Sequence, residues 1–200
     1  MHLANLMQKR SFNSLLAEVK ACTLCADHLH NGVRPVLQIH ANAKILIAGQ
    51  APGSKVHASG IPFDDPSGDR LRSWMGIDRK TFYDETKIAL LPMAFCYPGK
   101  GKTGDLPPMP ICAETWRSKL LHELPNLGLS LIIGQYAQAW HLPVRQKTLT
   151  ETVRNWRNYA EDILPLPHPS PRNNIWLRKN AWFETDVLPH LKQKVERLLA

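Results

Sequence analysis

The stretch GQAPG, residues 49–53, follows an apolar run and combines two glycines with a proline. Glycines at the end of a buried strand let another molecule approach the backbone closely, although they also serve as plain turn residues. Phe63 then closes a Gly-Ile-Pro-Phe stretch, where it offers either a flat stacking face or a core side chain. The stretch is not a Walker loop or a dinucleotide-binding fingerprint, because the required Gly-Lys-Ser/Thr and Gly-x-Gly-x-x-Gly patterns are absent.

His168 is a second residue with chemical potential, and it stands in Leu-Pro-His-Pro-Ser-Pro-Arg. Proline fixes φ near about −65°, so prolines on both sides stiffen the loop. A stiff imidazole suits a hydrogen-bond donor that must be in place before charge develops in a transition state. The plain alternative is a surface histidine in a proline-rich loop.

Four cysteines form a third group. Cys22 and Cys25 make a Cys-x-x-Cys pair, and Cys96 and Cys112 follow with fifteen residues between them. This spacing is compatible with zinc, with an iron–sulfur cluster, or with a redox pair plus two core thiols.

Short apolar runs predict the strands that position these residues: 44–49, 88–93, 129–134 and 163–167. Their nearly continuous apolar character is typical of parallel strands buried on both faces. Helical patterns surround them: one from Ser11 to the first cysteines, then 68–74, 113–124, 136–141, 148–159 and 180–199, the last kinked or restarted at Pro189. The alternation predicts an α/β fold, a three-layer sandwich with a central four-stranded parallel sheet flanked by helices, in a single domain of residues 1–200.

The unusual stretches all follow predicted strands: GQAPG, CYPGKGKTGDLPP, GQYAQ and HPSPRNN. Ligands of such sheets bind beyond the carboxyl ends of the strands. The sequence therefore predicts a site at this edge of the sheet.

The charge balance favours an anionic partner. The formal net charge is +8, which suits nucleic acid or an anionic membrane surface, and also a merely soluble basic protein. Lys100 and Lys102 alternate with glycines, a pattern typical of phosphate contacts. No apolar stretch approaches the ~20 residues of a membrane span, and residues 1–11 contain no apolar signal region. We expect a cytoplasmic monomer whose cysteines are not in disulfides.

In this order, the GQAPG loop, the Gly-x-Pro-Phe stretch and the His-Pro-Ser loop resemble the uracil-DNA glycosylase superfamily. With the cysteine pattern they most resemble its family 4 type, which carries an iron–sulfur cluster. The resemblance implies an enzyme that flips uracil or a related deaminated base out of DNA and hydrolyses its N-glycosidic bond, leaving an abasic site. The alternatives are a non-catalytic iron–sulfur protein that binds DNA or senses redox state on the same scaffold, and hydrolysis of a free nucleotide or nucleoside.

The resemblance also implies roles for single residues. His168 would be the donor to the departing base, with Gln50 and His57 at positions where family 4 relatives carry acidic residues. The remaining residues that it assigns fall into three sets. The substrate-binding set is Gly49, Ala51, Pro52, Gly53, Phe63, Ser170 and Asn173. The DNA-binding set is Lys100, Lys102 and Arg172. A [4Fe–4S] cluster, with zinc as the alternative, would be held by Cys22, Cys25, Cys96 and Cys112.

Three positions depart from the family 4 pattern: Gln50, His57 and Pro92. Gln50 cannot act as a base, and His57 is either a base or idle; Ala51 replaces the aspartate of other uracil glycosylases, which family 4 enzymes also lack. Pro92 or Met93 stands where relatives place an asparagine that reads the uracil edge, a role for which Asn173 and Asn174 are candidate substitutes. These departures leave the residue that activates water, and the base that is excised, open.

Overall fold

The computed structural model describes residues 12–159 and 161–200. Its strands are β1 (Ile45–Ala48), β2 (Ile88–Leu90), β3 (Leu129–Ile133) and β4 (Ile163–Leu166). They form one parallel sheet in the order β2-β1-β3-β4. The predicted fold class is confirmed. Each strand ends earlier than the apolar run that predicted it, and β2 ends ahead of Pro92, which has no N–H for a ladder.

The described helices are α1 (residues 12–20), α2 (Ser54–Ser59), α3 (Pro66–Met75), α4 (Arg79–Phe82), α5 (Pro110–His122), α6 (Gly134–His141), α7 (Leu149–Arg154), α8 (Asn174–Lys179) and α9 (Leu188–Leu199). The sequence did not predict α2, α4 and α8, which are too short to show a helical period. Ser11, at the predicted start of α1, lies outside the described residues. Pro189 stands in the first turn of α9 after a π-helical turn, so the predicted restart is confirmed.

Two helical layers cover the sheet because side chains of a strand alternate between its faces. Ile45 and Ile47 are buried against α3 and α9 on one face. Leu46, between them, is buried on the other face against α1 and α5. This is the three-layer arrangement that the alternation of elements predicted.

The two edges of the sheet differ: Gln38 covers the edge at β2, and the edge strand β4 contains a proline. Gln38 pairs antiparallel with Leu90, and its side-chain amide donates to the carbonyl oxygen of Ile88 at 2.8 Å. At the other edge, Pro165 is tolerated because β4 has only one neighbouring strand. Among the helices of the described residues, none is both long and apolar enough to cross a membrane.

The order of the strands also locates a crevice. The chain passes from β1 to β2 on one side, then to β3 on the other side of β1. Such a reversal opens a gap between the loops that follow β1 and β3, and ligands of open parallel sheets bind there.

Candidate active site

The aromatic ring of Phe63 lies against Gly49, just beyond the carboxyl end of β1. A Cβ atom on Gly49 would stand 3.4 Å from Cζ of Phe63, in van der Waals contact, so the ring packs directly against the backbone at this glycine. Phe63 has a φ of 54°, in the left-handed region that side-chain-bearing residues rarely adopt. Its ring meets that of Phe82 edge-on, with centroids 6.1 Å apart. The surroundings therefore hold the backbone of Phe63 in a strained conformation, a feature that clusters at functional sites.

Gly68, in the first turn of α3, makes this conformation possible. A Cβ atom on Gly68 would overlap the carbonyl oxygen of Phe63. Asp65 caps the same helix, because its Oδ1 accepts the N–H of Gly68 at 2.9 Å. On the other side of the turn, the Tyr83 hydroxyl donates to the carbonyl oxygen of Pro62 at 2.9 Å. The turn that carries Phe63 is thus held from both ends.

His168 is held by hydrogen bonds on its ring and on its backbone. The N–H of Ser170 donates to Nδ1 of His168 at 3.2 Å, and Nδ2 of Asn173 donates to its carbonyl oxygen at 2.7 Å. Arg70 from α3 fixes the same loop by donating to the carbonyl oxygen of Ser170 at 3.0 Å. Since Nδ1 accepts, the proton of a neutral ring resides on Nε2.

The protonation state of His168 follows from its surroundings. Burial lowers its pKa below the ordinary value, and the carboxylates of Asp65 and Asp105 partly oppose that shift. The ring is therefore neutral at pH 7 and presents one N–H donor, at Nε2.

A cavity of about 310 Å³ joins the loops after β1 and β4 to the Phe63 turn, and its size lies in the range of small-molecule sites. Pro92, after β2, contributes only an apolar ring to the wall. Nine residues predicted for the site line it: Gly49, Gln50, Ala51, Pro52, Gly53, Phe63, His168, Ser170 and Arg172.

An open groove of about 560 Å³ shares part of the cavity wall, including His168 and Arg172. It adds Lys102 and Asn173. Asn173 therefore faces the groove rather than the cavity, and its amide nitrogen is engaged with the loop of His168.

Two predicted residues line neither space. His57 donates from Nε2 to the carbonyl oxygen of Asn31 at 3.0 Å and packs beside the ring of Tyr97. Lys100 lies in a hairpin, residues 99–106, where its backbone forms an antiparallel β-bridge with that of Asp105. The structure thus directs His57 toward the segment that follows α1 and away from the cavity.

Gln50 connects two loops. Its side-chain Nε2 donates to the carbonyl oxygen of Leu106 at 3.2 Å, and its own carbonyl oxygen accepts the N–H of Ala94 at 3.1 Å. This side chain therefore holds the loop after β1 to the hairpin that follows β2.

Asp65 and Asp105 also line the cavity, although neither was predicted from the sequence. Each had a signal. Asp65 precedes Pro66 at the start of a helical pattern, as an N-cap does, and Asp105 lies in a loop that follows a strand. Acidic residues at the carboxyl edge of a parallel sheet are candidates for chemistry.

The four cysteines line one small and mostly apolar pocket, the cysteine pocket, between the segment after α1 and the segment after β2. The N–H of Phe95 donates to Sγ of Cys112 at 3.4 Å, and the indole N–H of Trp116 donates to Sγ of Cys22 at 3.3 Å. Hydrogen bonds of this kind stabilise metal-bound thiolates and tune iron–sulfur clusters.

Three thiols of the cysteine pocket resist ionisation, those of Cys25, Cys96 and Cys112. Burial raises the pKa of Cys112 to about 12, and it is also the main cause of the raised pKa values of Cys25 and Cys96. Metal binding there must therefore release protons. Within residues 12–159 and 161–200, no three His, Cys, Asp or Glu side chains converge on a point that suits one metal ion.

The sequence matches the family described as the uracil DNA glycosylase superfamily over residues 37–192. This range includes β1 to β4, the Phe63 turn and the His168 loop. The chain belongs to this superfamily, as its three loop motifs predicted.

Proposed function

We propose that this protein is a monofunctional DNA glycosylase that excises uracil or a related deaminated base and leaves an abasic site. One observation carries the proposal: Phe63 and the hydrogen-bonded imidazole of His168 line the same cavity. A flat surface and an N–H donor are the two groups that a departing pyrimidine requires.

The cavity suits a base that has left the double helix. A glycosidic bond is out of reach while the base is stacked, so the nucleotide must turn out of the duplex. The pyrimidine ring would stack on Phe63, whose approach to Gly49 leaves the backbone of the GQAPG loop beside the edge of the base. Backbone N–H groups of that loop are then the nearest donors to the base oxygens.

His168 supports bond breakage. Cleavage of the C1′–N bond leaves negative charge on the base, and the Nε2–H donor of His168 stabilises that charge at a base oxygen. The Ser170 N–H holds Nδ1 from the opposite side, so the ring needs no reorientation at the transition state. Because burial lowers the pKa of His168, it acts as a neutral donor.

The groove beside the cavity suits the DNA strand. Arg172 and Lys102 line it, next to the cavity mouth through which a turned-out nucleotide would enter. A net charge of +8 favours a polyanion in the same place. We propose that the protein acts on DNA as a monomer.

Pro92 bears on which bases the cavity can accept. An asparagine there would read both the acceptor and the donor of a uracil edge, whereas the proline ring can do neither. We therefore propose recognition that is less strict toward uracil and admits other deaminated bases.

We further propose that the chain resembles the family 4 type in holding a [4Fe–4S] cluster through Cys22, Cys25, Cys96 and Cys112. The four residues fit the group, because they line one pocket and N–H donors point at two of the sulfurs. Each thiolate of such a cluster binds a different iron, whereas zinc needs all four sulfurs about 2.3 Å from one point. The cluster would join the segment after α1 to the loop that leads into the hairpin.

The cluster proposal is tested by anaerobic purification with iron, sulfide and zinc analysis. Brown protein that absorbs near ~400 nm, with iron and sulfide bound, is expected. Colourless protein with stoichiometric zinc would replace the cluster by a zinc site.

The glycosylase proposal is tested with oligonucleotides that carry one uracil, hypoxanthine or xanthine, in single and double strands. After incubation, alkali cleaves the DNA at abasic sites. Release of at least one base is expected. Salt-sensitive DNA binding without release of any base would instead favour a non-catalytic DNA-binding protein.

A further inference from the structure

We propose that Asp105 is the residue that activates the attacking water, an inference that rests on the proposed glycosylase function. The motif position that holds an aspartate in other glycosylases is Ala51 here, and Gln50 cannot accept a proton. His57 lies outside the cavity, bonded to Asn31. The carboxylate must therefore come from another part of the chain.

Among the described residues that line the cavity, only Asp65 and Asp105 carry carboxylates. Asp65 is engaged as the cap of α3, where its Oδ1 accepts the N–H of Gly68 at 2.9 Å. Its removal would loosen the turn that aims Phe63. Asp105 caps no helix. The hydroxyl of Tyr97 lies within hydrogen-bonding reach of its carboxylate, and since a carboxylate accepts several hydrogen bonds, Asp105 can still accept one from a water molecule.

Asp105 lies where the cavity and the groove meet, because its side chain lines both. It is solvent-exposed, and its Oδ2 stands 3.6 Å from where a Cβ atom on Gly53 would lie. In the proposed complex the base stacks on Phe63 in the cavity and the strand follows the groove, so C1′, which joins the two, lies where the two spaces meet. The carboxylate therefore faces the GQAPG loop beside the expected position of C1′.

The hairpin holds Asp105 in place. Leu106 N–H donates to the carbonyl oxygen of Gly99 at 2.9 Å, and Gly101 N–H donates to that of Gly104 at 2.6 Å. Gln50 fastens the hairpin to the loop after β1 through its bond to Leu106. In this assignment Gln50 is a positioning residue, and it supports a carboxylate supplied by a different loop.

In the proposed hydrolysis the C1′–N bond breaks, and its electron pair leaves with the base, which His168 stabilises. The water oxygen bonds to C1′ as one water proton passes to the carboxylate of Asp105. The products are the abasic sugar and the base anion, and the latter takes a proton from solvent or from the protonated Asp105.

The negative charge of Asp105 should weaken DNA binding. Its removal therefore has opposite effects on DNA affinity and on excision if Asp105 is catalytic, and weakens both if its role is structural. A carboxylate beside Lys102 and Arg172 repels the phosphates of bound DNA. Asp105→Asn should therefore bind substrate DNA at least as tightly as the unaltered protein while excising the base about 10²–10³-fold more slowly. A structural defect would weaken both.

The experiment measures single-turnover excision, DNA affinity and thermal unfolding for Asp105→Asn, Asp105→Glu and Asp186→Asn. Asp186 is exposed in the π-helical turn before α9, outside the cavity lining, so its variant should excise at an unchanged rate. Asp105→Glu should keep more activity than Asp105→Asn, because it retains a carboxylate.

An unaltered protein that releases no base contradicts the proposed function itself. An active protein in which Asp105→Asn excises normally contradicts only the assignment of Asp105. Loss of excision in Asp65→Asn, with normal excision in Asp105→Asn and normal unfolding in both, would transfer the role to Asp65.

Discussion

The cavity and the cysteine pocket achieve order in different ways. In the cavity the protein's own hydrogen bonds already orient the reactive groups: Ser170 fixes the ring of His168, and Gly68 permits the turn of Phe63. In the cysteine pocket the side chains share a space, but burial raises the pKa values of Cys25, Cys96 and Cys112, and no single-ion geometry is formed among the described residues. The protein's own hydrogen bonds thus order the cavity, whereas in our proposal a bound cluster would order the cysteine pocket.

The largest expected effect tests the order of the cavity. His168→Ala should slow excision about 10²–10³-fold, because one preorganised donor to the departing base is lost. Single-turnover kinetics on the best substrate measures the rate. His122→Ala, at the end of α5 and outside the cavity lining, is the control and should leave it unchanged. A loss below about threefold would mean that the imidazole does not meet the base.

A backbone change should disturb the cavity almost as strongly. Gly68→Ala forces a Cβ atom into the carbonyl oxygen of Phe63 and should destabilise the fold by about 3 kcal/mol. Denaturant unfolding measures this, and excision should fall because the stacking ring moves. Ser73→Ala, on the exposed face of the same helix, should cost little. Normal stability of Gly68→Ala would show that the turn can relax, and that its strain does not aim the ring.

A substitution in the cysteine pocket should slow excision less than a substitution in the cavity. Cys96→Ser should abolish absorption near ~400 nm, yet slow excision less than about tenfold, since the hydrogen bonds of the cavity do not involve sulfur. Iron analysis with single-turnover kinetics checks both halves. A rate as low as that of His168→Ala would overturn the contrast, because the cavity would then need the cluster to assemble.

Helix α5 connects the cysteine pocket with the cavity, because it carries both Cys112 and Arg117. The contacts of Arg117 also make the stability of the fold depend on pH. Buried Arg117 donates to the carbonyl oxygens of Leu91 and Pro92 at 3.1 Å each, and to Nε2 of His141 at 2.8 Å. Burial, with the Arg117 charge second, lowers the pKa of His141 to about 3. Protons therefore bind the unfolded chain more readily, and His141 makes the fold lose stability as pH falls from about 6.5 toward 3.

Through His141, the free energy of unfolding should fall by up to about 1.4 kcal/mol for each pH unit in this range. His141→Gln keeps an acceptor for Arg117 but has no proton to gain, so between pH 6.5 and 4.5 it should lose about 2 kcal/mol less stability than the unaltered protein. Denaturant unfolding at both pH values checks this. Equal losses in the two proteins would mean that His141 binds its proton equally well in the folded chain.

The smallest effect concerns the groove. Lys102→Ala should weaken DNA binding a few-fold and reduce the salt slope of log Kd by about 1, since one phosphate contact is lost. Excision at saturating protein should not change. Lys44→Ala, just before β1 and so at the opposite edge of the sheet, is the control. Equal salt slopes in the two variants would remove Lys102 from the DNA path.

Much of the site was predictable because it is encoded in short stretches. Apolar runs revealed all four parallel strands, and the loops that follow parallel strands must share one edge. Hence the Phe63 turn, the GQAPG loop and His168 were expected together, and they line one cavity. The short helices α2, α4 and α8 were not predictable in this way, because too few turns exist to show a period.

Only the tertiary structure decided which polar side chains enter the cavity. His57, in the short helix α2, and Asp105, in the hairpin, both follow the carboxyl end of a strand, yet His57 turns toward Asn31 and Asp105 lines the cavity. That choice depends on long-range hydrogen bonds, such as the one between Gln50 and Leu106, which leave no trace in local sequence. The sequence by itself determined the fold class, the family and the edge that carries the site, because periodicity and backbone chemistry are local. The tautomer of His168, the strain at Phe63 and the placement of the carboxylates arose only from packing, since each depends on residues distant in the chain.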